Sequence, residues 1–250
     1  MCDYEQVGDY SWPLAEFPSD GRLVERSRRV RLGDVSTNGQ LRLDALARYL
    51  QDVAADDVDE AGLTGAWVLR RLLVEIKARP EFAVDVDLAT FCSGSGPRWA
   101  ERRTTLKTAD RLLIEAVGLW VFVDSSGRPA ELEKQFLPIY GDTARNRKVS
   151  GRLRLPSPPA SAPENLFVTR PSDFDVLGHM NNAVAWVAIE QELLHVEPQA
   201  TIVSALLEYR TPVAPGSALK VVSSRQDDCL MVWIVGANET FVSARLVLTQ

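Results

Sequence analysis

Residues 173–186 read DFDVLGHMNNAVAW, and how this stretch is read decides the fold. It follows "ENLFVTRPS" (164–172), whose pattern predicts a strand, and runs into "NNAVAWVAIEQELLHV" (181–196). That second segment is apolar almost all round through Ala188, which predicts a helix buried on every side. Asp173, Asp175, Gly178 and His179 therefore sit in a strand-to-helix loop. The amides of a helix's first turn lack internal partners and the dipole there is positive. Such an end can hold an anion or a developing oxyanion. Asn181 or Asn182 is placed to cap the helix. Gly178 permits an unusual backbone angle or close approach of a carbonyl. Asp175 and His179 can supply acid–base or nucleophilic chemistry beside that end, with Met180 as a neighbouring amide donor. A plainer role competes at each position. Asp173 fits a turn or cap, His195 suits the helix C-terminus, and Glu190 suits a structural partner.

Outward from this loop, the chain is written twice. After a polar, aperiodic arm (1–21), "RLVERSRRVRL" (22–32) reads as a strand. In 43–63, Leu43, Leu46, Ala47, Leu50, Val53, Ala54 and Val58 recur at helical spacing. Asp44 lies in the first turn and Gly62 ends the run. Four strand-like runs follow at 68–79, 84–93, 98–108 and 112–124, separated by turn chemistry. Residues 141–163, rich in Pro, Ser and Arg, read as a linker. Then a strand, a helix and four strands (201–210, 218–226, 230–237, 240–249) repeat the order. Laid over each other, Asp34 falls on Asp173, Gly39 on Gly178 and Gln40 on His179. The pattern predicts an α+β tandem double hotdog, each half a long antiparallel sheet wrapped around a central helix. The halves span 22–140 and 164–250.

Composition narrows the function classes. The chain has 250 residues and a net charge of −6, which disfavours nucleic-acid binding, since phosphate neutralisation needs a basic face. No apolar run approaches the roughly 20 residues that span a bilayer, and the start "MCDYEQVGDYSWPL" lacks the features of a signal peptide. Cys2, Cys92 and Cys229 form no disulfide or metal pattern, so a reducing cytoplasm is expected, with no metal and no cofactor. "RNRKVSGRLR" (145–154) is dense in Arg and Lys and free of acids. It reads as a solvated linker or as a docking patch for an acidic partner.

At this point a resemblance applies. "DFDVLGHMNN" resembles the D-x-D-x-x-G/Q-H-x-N-N segment of hotdog thioesterases, and residues 22–250 resemble the acyl-ACP thioesterase family. "LARYLQDVAADDVDEAGL" (46–63) and "WVLRRLLVEIKARPEF" (67–82) are similar to that family's first-half helix and its following strand. The resemblance implies hydrolysis of acyl-ACP to free fatty acid plus carrier. It implies that the second half is catalytic and that the first shapes the acyl pocket. Asp175 and His179 match the catalytic Asp and His, and Asn181 and Asn182 the Asn pair. Gly178, Met180, Asn181 and Asn182 are the expected substrate and oxyanion positions. Two departures stand out: Leu177 where the family has Asn, and Pro212 and Val213 where it has Glu and Cys. These keep a non-catalytic acyl-thioester binder open as an alternative, beside an acyl-CoA thioesterase and a hotdog hydratase. The expected partner is acyl carrier protein or acyl-CoA, and a homodimer is left open.

Overall fold

The computed structural model describes residues 14–249. These divide into two compact units on either side of the Arg152–Leu153 bond. The first holds β1 (Val24–Arg29), α1 (Leu43–Glu60), β2 (Ala66–Ile76), β3 (Asp85–Ser95), β4 (Trp99–Lys107), β5 (Leu112–Val123) and α2 (Phe136–Ala144). Its strands run β1-β3-β4-β5-β2, each antiparallel to its neighbour. The second holds β6 (Glu164–Phe167), α3 (Asn182–Val196), β7 (Thr201–Tyr209), β8 (Leu219–Gln226), β9 (Cys229–Val235) and β10 (Thr240–Thr249). Its order, β6-β8-β9-β10-β7, is the same topology strand for strand. The tandem repeat expected from the sequence is therefore the fold.

In the first unit α1 packs on β1 and β3; in the second α3 packs on β8 and β9. Leu43, Leu46, Leu50 and Val53 lie on one face of α1 and are buried, each stabilising by roughly 1.5–3 kcal/mol. Beneath them, Ile76, Leu88, Leu106 and Ile114 line up across four strands in register, all buried. The opposite face of α1 is acidic and meets arginines of the edge strand β1: Arg28 pairs with Asp52 at 2.7 Å and Arg26 with Asp56 at 3.0 Å. Charged side chains on that strand discourage further pairing. Asp44 lies between Arg42 (2.8 Å) and Arg48 (2.7 Å). Burial opposes its charge, but the two guanidinium hydrogen bonds hold its carboxyl below the ordinary range.

Two expectations need correction. Residues 136–144 form α2, and the first part of the expected linker is helical. Phe136, Tyr140 and Ala144 pack with Cys92 and Ala100, and that burial makes the helix. The segment between the units is also no solvated tether. Trp99 Nε1 donates to the Val149 carbonyl at 2.9 Å, and Trp233 Nε1 to the Pro156 carbonyl at 2.8 Å. Arg71 donates to the Ser150 carbonyl at 3.2 Å. Arg147 pairs with buried Glu101 and donates to the Ser93 carbonyl. Of the N-terminal arm, residues 1–13 lie outside the described residues. Phe17 rests 5.3 Å from the Phe91 ring, with the Arg103 guanidinium 4.9 Å from its own centroid. Among the described residues no helix is long and apolar enough to cross a membrane.

Candidate active site

The 173–182 loop is fixed by its own backbone before any side chain acts. A 3₁₀ turn at Pro171–Asp173 leads into it. Asp173 is buried and accepts from the Arg170 amide at 2.8 Å and the Arg170 guanidinium at 2.8 Å, closing the loop's first end. The Asp173 carbonyl then accepts from Asn181 N–H at 2.8 Å, and Phe174 bridges to Met180. Between these ties the chain makes a tight turn. Asp175 N–H donates to the His179 carbonyl at 2.9 Å, and Gly178 N–H to the Asp175 carbonyl at 3.0 Å. Gly178 sits at φ +76°, a region that side chains with a Cβ rarely occupy.

Within this turn the Asp175 carboxylate is divided in role. Its Oδ1 accepts from Leu177 N–H at 2.9 Å and, at a long 3.5 Å, from His179 N–H. Its Oδ2 has no partner among the described residues. One oxygen thus anchors the group and the other is open to water or substrate. The His179 ring is exposed and makes no hydrogen bond among the described residues. Asn181 is the N-cap of α3, its side chain accepting from Ala183 N–H at 2.9 Å. The Tyr209 hydroxyl donates to the Asn182 carbonyl at 3.4 Å, and burial raises the Tyr209 phenol well above its ordinary value.

The amides expected to hold an oxyanion are mostly committed. Met180 N–H bonds the Val213 carbonyl at 2.9 Å, Asn181 N–H the Asp173 carbonyl and Gly178 N–H the Asp175 carbonyl. Less committed are His179 N–H, held by Asp175 only at 3.5 Å, and Asn182 N–H at the start of α3, which has no acceptor within the helix.

The first unit carries the same frame. Ser36 N–H donates to the Gln40 carbonyl, Gly39 N–H to Ser36, Leu41 N–H to Pro80 and Arg42 N–H to Asp34, all at 2.8–2.9 Å, with Gly39 at φ +82°. Each bond has its counterpart at 173–181. The frame therefore puts Ser36 where Asp175 stands, Asn38 where Leu177 stands and Gln40 where His179 stands. The Asn missing from the second loop is present in the first, and the carboxylate is present only in the second.

The segment where the resemblance implies Glu and Cys holds Pro212 and Val213. Pro212 is exposed, and buried Val213 contributes only its carbonyl. Just before it, Glu208 is fully buried and accepts from the Leu155 amide at 3.0 Å, the Arg154 amide and the Arg210 guanidinium at 3.0 Å. This is a structural clasp, missed in the sequence because its two amide partners lie some fifty residues away. Glu192, buried on α3 between Asn165 (2.9 Å) and Ser223 (2.6 Å), was likewise missed. His195 is exposed in the last turn of α3. Among the described residues no cluster of His, Cys, Asp and Glu could hold a metal.

Two repeats of one sheet-and-helix unit, with a carboxylate-bearing turn at the entrance to the second helix, define the double-hotdog class. The N-terminal domain profile of the acyl-ACP thioesterases matches residues 21–140 and their C-terminal domain profile residues 157–247. The chain belongs to the acyl-ACP thioesterase family, whose members are thioester hydrolases. It is 27% identical over 242 residues to an uncharacterized Mycobacterium tuberculosis protein, covering 95% of this chain and 97% of that one. It is 21% identical over 239 residues to a chloroplastic palmitoyl-acyl carrier protein thioesterase of Gossypium hirsutum, covering 86% of this chain and 58% of that protein. Among solved structures it resembles the 12:0-ACP thioesterase of Umbellularia californica, with a TM-score of 0.77 at 19% identity, covering 93% and 99% of the two chains. An acyl-ACP thioesterase of Bacteroides thetaiotaomicron has a TM-score of 0.77 at 16% identity, covering 91% and 98%.

Proposed function

We propose that the chain hydrolyses acyl thioesters carried on acyl carrier protein, with Asp175 as the general base. The observation that carries this is the divided carboxylate: Oδ1 fixed by the Leu177 amide and Oδ2 open. Oδ2 takes a proton from water as the water oxygen bonds the thioester carbon. His179 N–H and Asn182 N–H are the donors left to meet the developing oxyanion. Collapse breaks the C–S bond, and the proton held by Asp175, or one relayed through the His179 ring, goes to the departing thiolate. Free acid and carrier thiol are the products.

The carrier is read from charge. Arg147 is paired with Glu101 and Arg145 with Glu16, and Lys148, Arg152 and Arg154 are the segment's other exposed cations. Their charge complements an acidic carrier protein. Replacing these three with Ala should raise KM for acyl-ACP about three- to tenfold at low ionic strength, with kcat unchanged and the gap closing as salt is added. Equal losses for acyl-ACP and acyl-CoA would reject docking there.

Leu177 is the second testable position. It is exposed and in the place that Asn38 fills in the first loop. Leu177→Asn adds a hydrogen-bonding side chain two residues from the base. Turnover should rise about two- to tenfold, the scale of one hydrogen bond, with the melting temperature unchanged. A fall in kcat would show that the apolar residue belongs to the working site.

A further inference from the structure

The first turn of α3 is held from within the loop and the helix. Asn181 N–H donates to the Asp173 carbonyl at 2.8 Å, Val184 N–H to the Asn181 carbonyl at 2.9 Å, and Ala183 N–H to the Asn181 side chain at 2.9 Å. One further bond reaches outside. The hydroxyl of Tyr209, the last residue of β7, donates to the Asn182 carbonyl at 3.4 Å. Among the described residues this is the hydrogen bond that ties residues 181–184 to the sheet. Tyr209 is buried, and a buried phenol hydroxyl needs an acceptor. The Asn182 carbonyl already serves the helix ladder, so the hydroxyl takes its second lone pair. Burial raises the Tyr209 phenol, and the Trp186 indole N–H, buried and without a hydrogen bond of its own, only tempers that rise. Tyr209 therefore stays a neutral donor at neutral pH.

Helix ends fray, and this end carries one of the two amides left for the oxyanion. The peptide before Asn182 is oriented by Val184, through the Asn181 carbonyl. The peptide after it is oriented by the Asn181 side chain on one side and Tyr209 on the other. With both planes tied, the residue cannot pivot. At 3.4 Å the Tyr209 bond is long, as bonds around a reacting centre often are until substrate binds. Resting on the reading of the chain as an acyl-ACP thioesterase, we infer that Tyr209 is a positioning residue. Its hydroxyl holds the first turn of α3 to β7 and so keeps the Asn182 N–H in place for the developing oxyanion. A donor fixed in advance costs no reorganisation as charge develops.

Steady-state kinetics of the full chain on acyl-ACP tests this. Tyr209→Phe keeps the ring and drops only the hydroxyl. It should lower kcat about three- to tenfold, the scale of one hydrogen bond, and leave KM unchanged. A hydroxyl that merely stabilised the fold would lower the melting temperature and leave kcat, measured well below the melt, where it was. The route through Asn182 is tested by removing its N–H. Residue 182 is the first of the helix, a position that accepts proline. Asn181 before it has φ −59° and ψ 138°, the backbone that a following proline requires. Asn182→Pro therefore deletes the N–H and keeps the turn, and Asn182→Ala, which loses the same side chain, is its reference. The proline variant should turn over at least about tenfold more slowly than the alanine variant, as loss of an oxyanion donor demands. Tyr209→Phe should keep its full effect beside Asn182→Ala and add nothing to Asn182→Pro, since one acts through the other. Three results overturn the inference: wild-type kcat in Tyr209→Phe, equal rates for the proline and alanine variants, or an undiminished Tyr209→Phe effect beside Asn182→Pro. The second of these is read whether or not Tyr209→Phe folds. In an active wild type, any of the three sinks this inference alone. A wild type with no turnover sinks the thioesterase reading, and this inference with it.

Discussion

Asp57→Ala should cost about 3–5 kcal/mol of stability, the range for leaving a buried charge unpaired. For a chain of this size that lowers the melting temperature by roughly 10 °C. Asp57 is 1% exposed, in the last turn of α1, where a carboxylate opposes the helix dipole. It is stabilised there by three donors: Arg22 Nε at 2.5 Å, the Arg102 guanidinium and the Tyr140 hydroxyl at 2.9 Å. Burial, then the Asp57 charge, pushes the Tyr140 phenol up to about 12, so it stays a donor throughout the neutral range. Alanine would leave the Arg102 guanidinium, 10% exposed, without its counter-charge. It would also free α2, which holds Tyr140. Asp52→Ala breaks the half-exposed pair with Arg28 and should hardly move the melting temperature. Thermal unfolding of both variants by circular dichroism checks the contrast. Equal, small shifts would mean that water replaces Asp57 in the cluster.

This cluster also shows what a sequence can and cannot display. The repeat was legible because it is local. Strand–helix–strand order, helical spacing in 43–60 and the loop anchors Asp34, Gly39, Asp173 and Gly178 all lie within short windows, and those anchors hold matching bonds. The Asp175 turn was legible for the same reason. Helix α2 was hidden because Pro138 and Gly141 interrupt its pattern, although proline is tolerated in a first helical turn. The linker looked like a free tether because its acceptors are far away in sequence: the Arg147 guanidinium finds Glu101, and the Arg154 backbone amide finds Glu208. Which loop amides were open was equally invisible, since Met180 is engaged by a carbonyl thirty-three residues on. Long-range pairing is decided by how the strands register, and residue type alone does not give that.

Asp175→Asn should cut turnover by about 10²–10⁴-fold, the range for removing a positioned general base, while the protein melts within about a degree of the wild type. The geometry separates the two effects. Asparagine places its carbonyl oxygen where Oδ1 accepts from Leu177 N–H, so the turn is kept, and asparagine favours such turns. The open Oδ2 becomes an amide nitrogen that cannot take a proton. Single-turnover assays on acyl-ACP with the Asn variant should show slow chemistry and unaltered binding. Asp175→Glu is the complement: it keeps a carboxylate but lengthens the arm, so the tie to Leu177 is lost and the base is misplaced. It should retain more activity than Asn only if a carboxylate anywhere near the loop suffices. His179→Ala, which removes an exposed ring with no hydrogen-bond partner among the described residues, should cost less than Asp175→Asn if the histidine only assists proton return. A variant Asp175→Asn that hydrolyses at the wild-type rate would remove this loop from the chemistry. The chain would then be either a binder of acyl thioesters or an enzyme that works through another carboxylate.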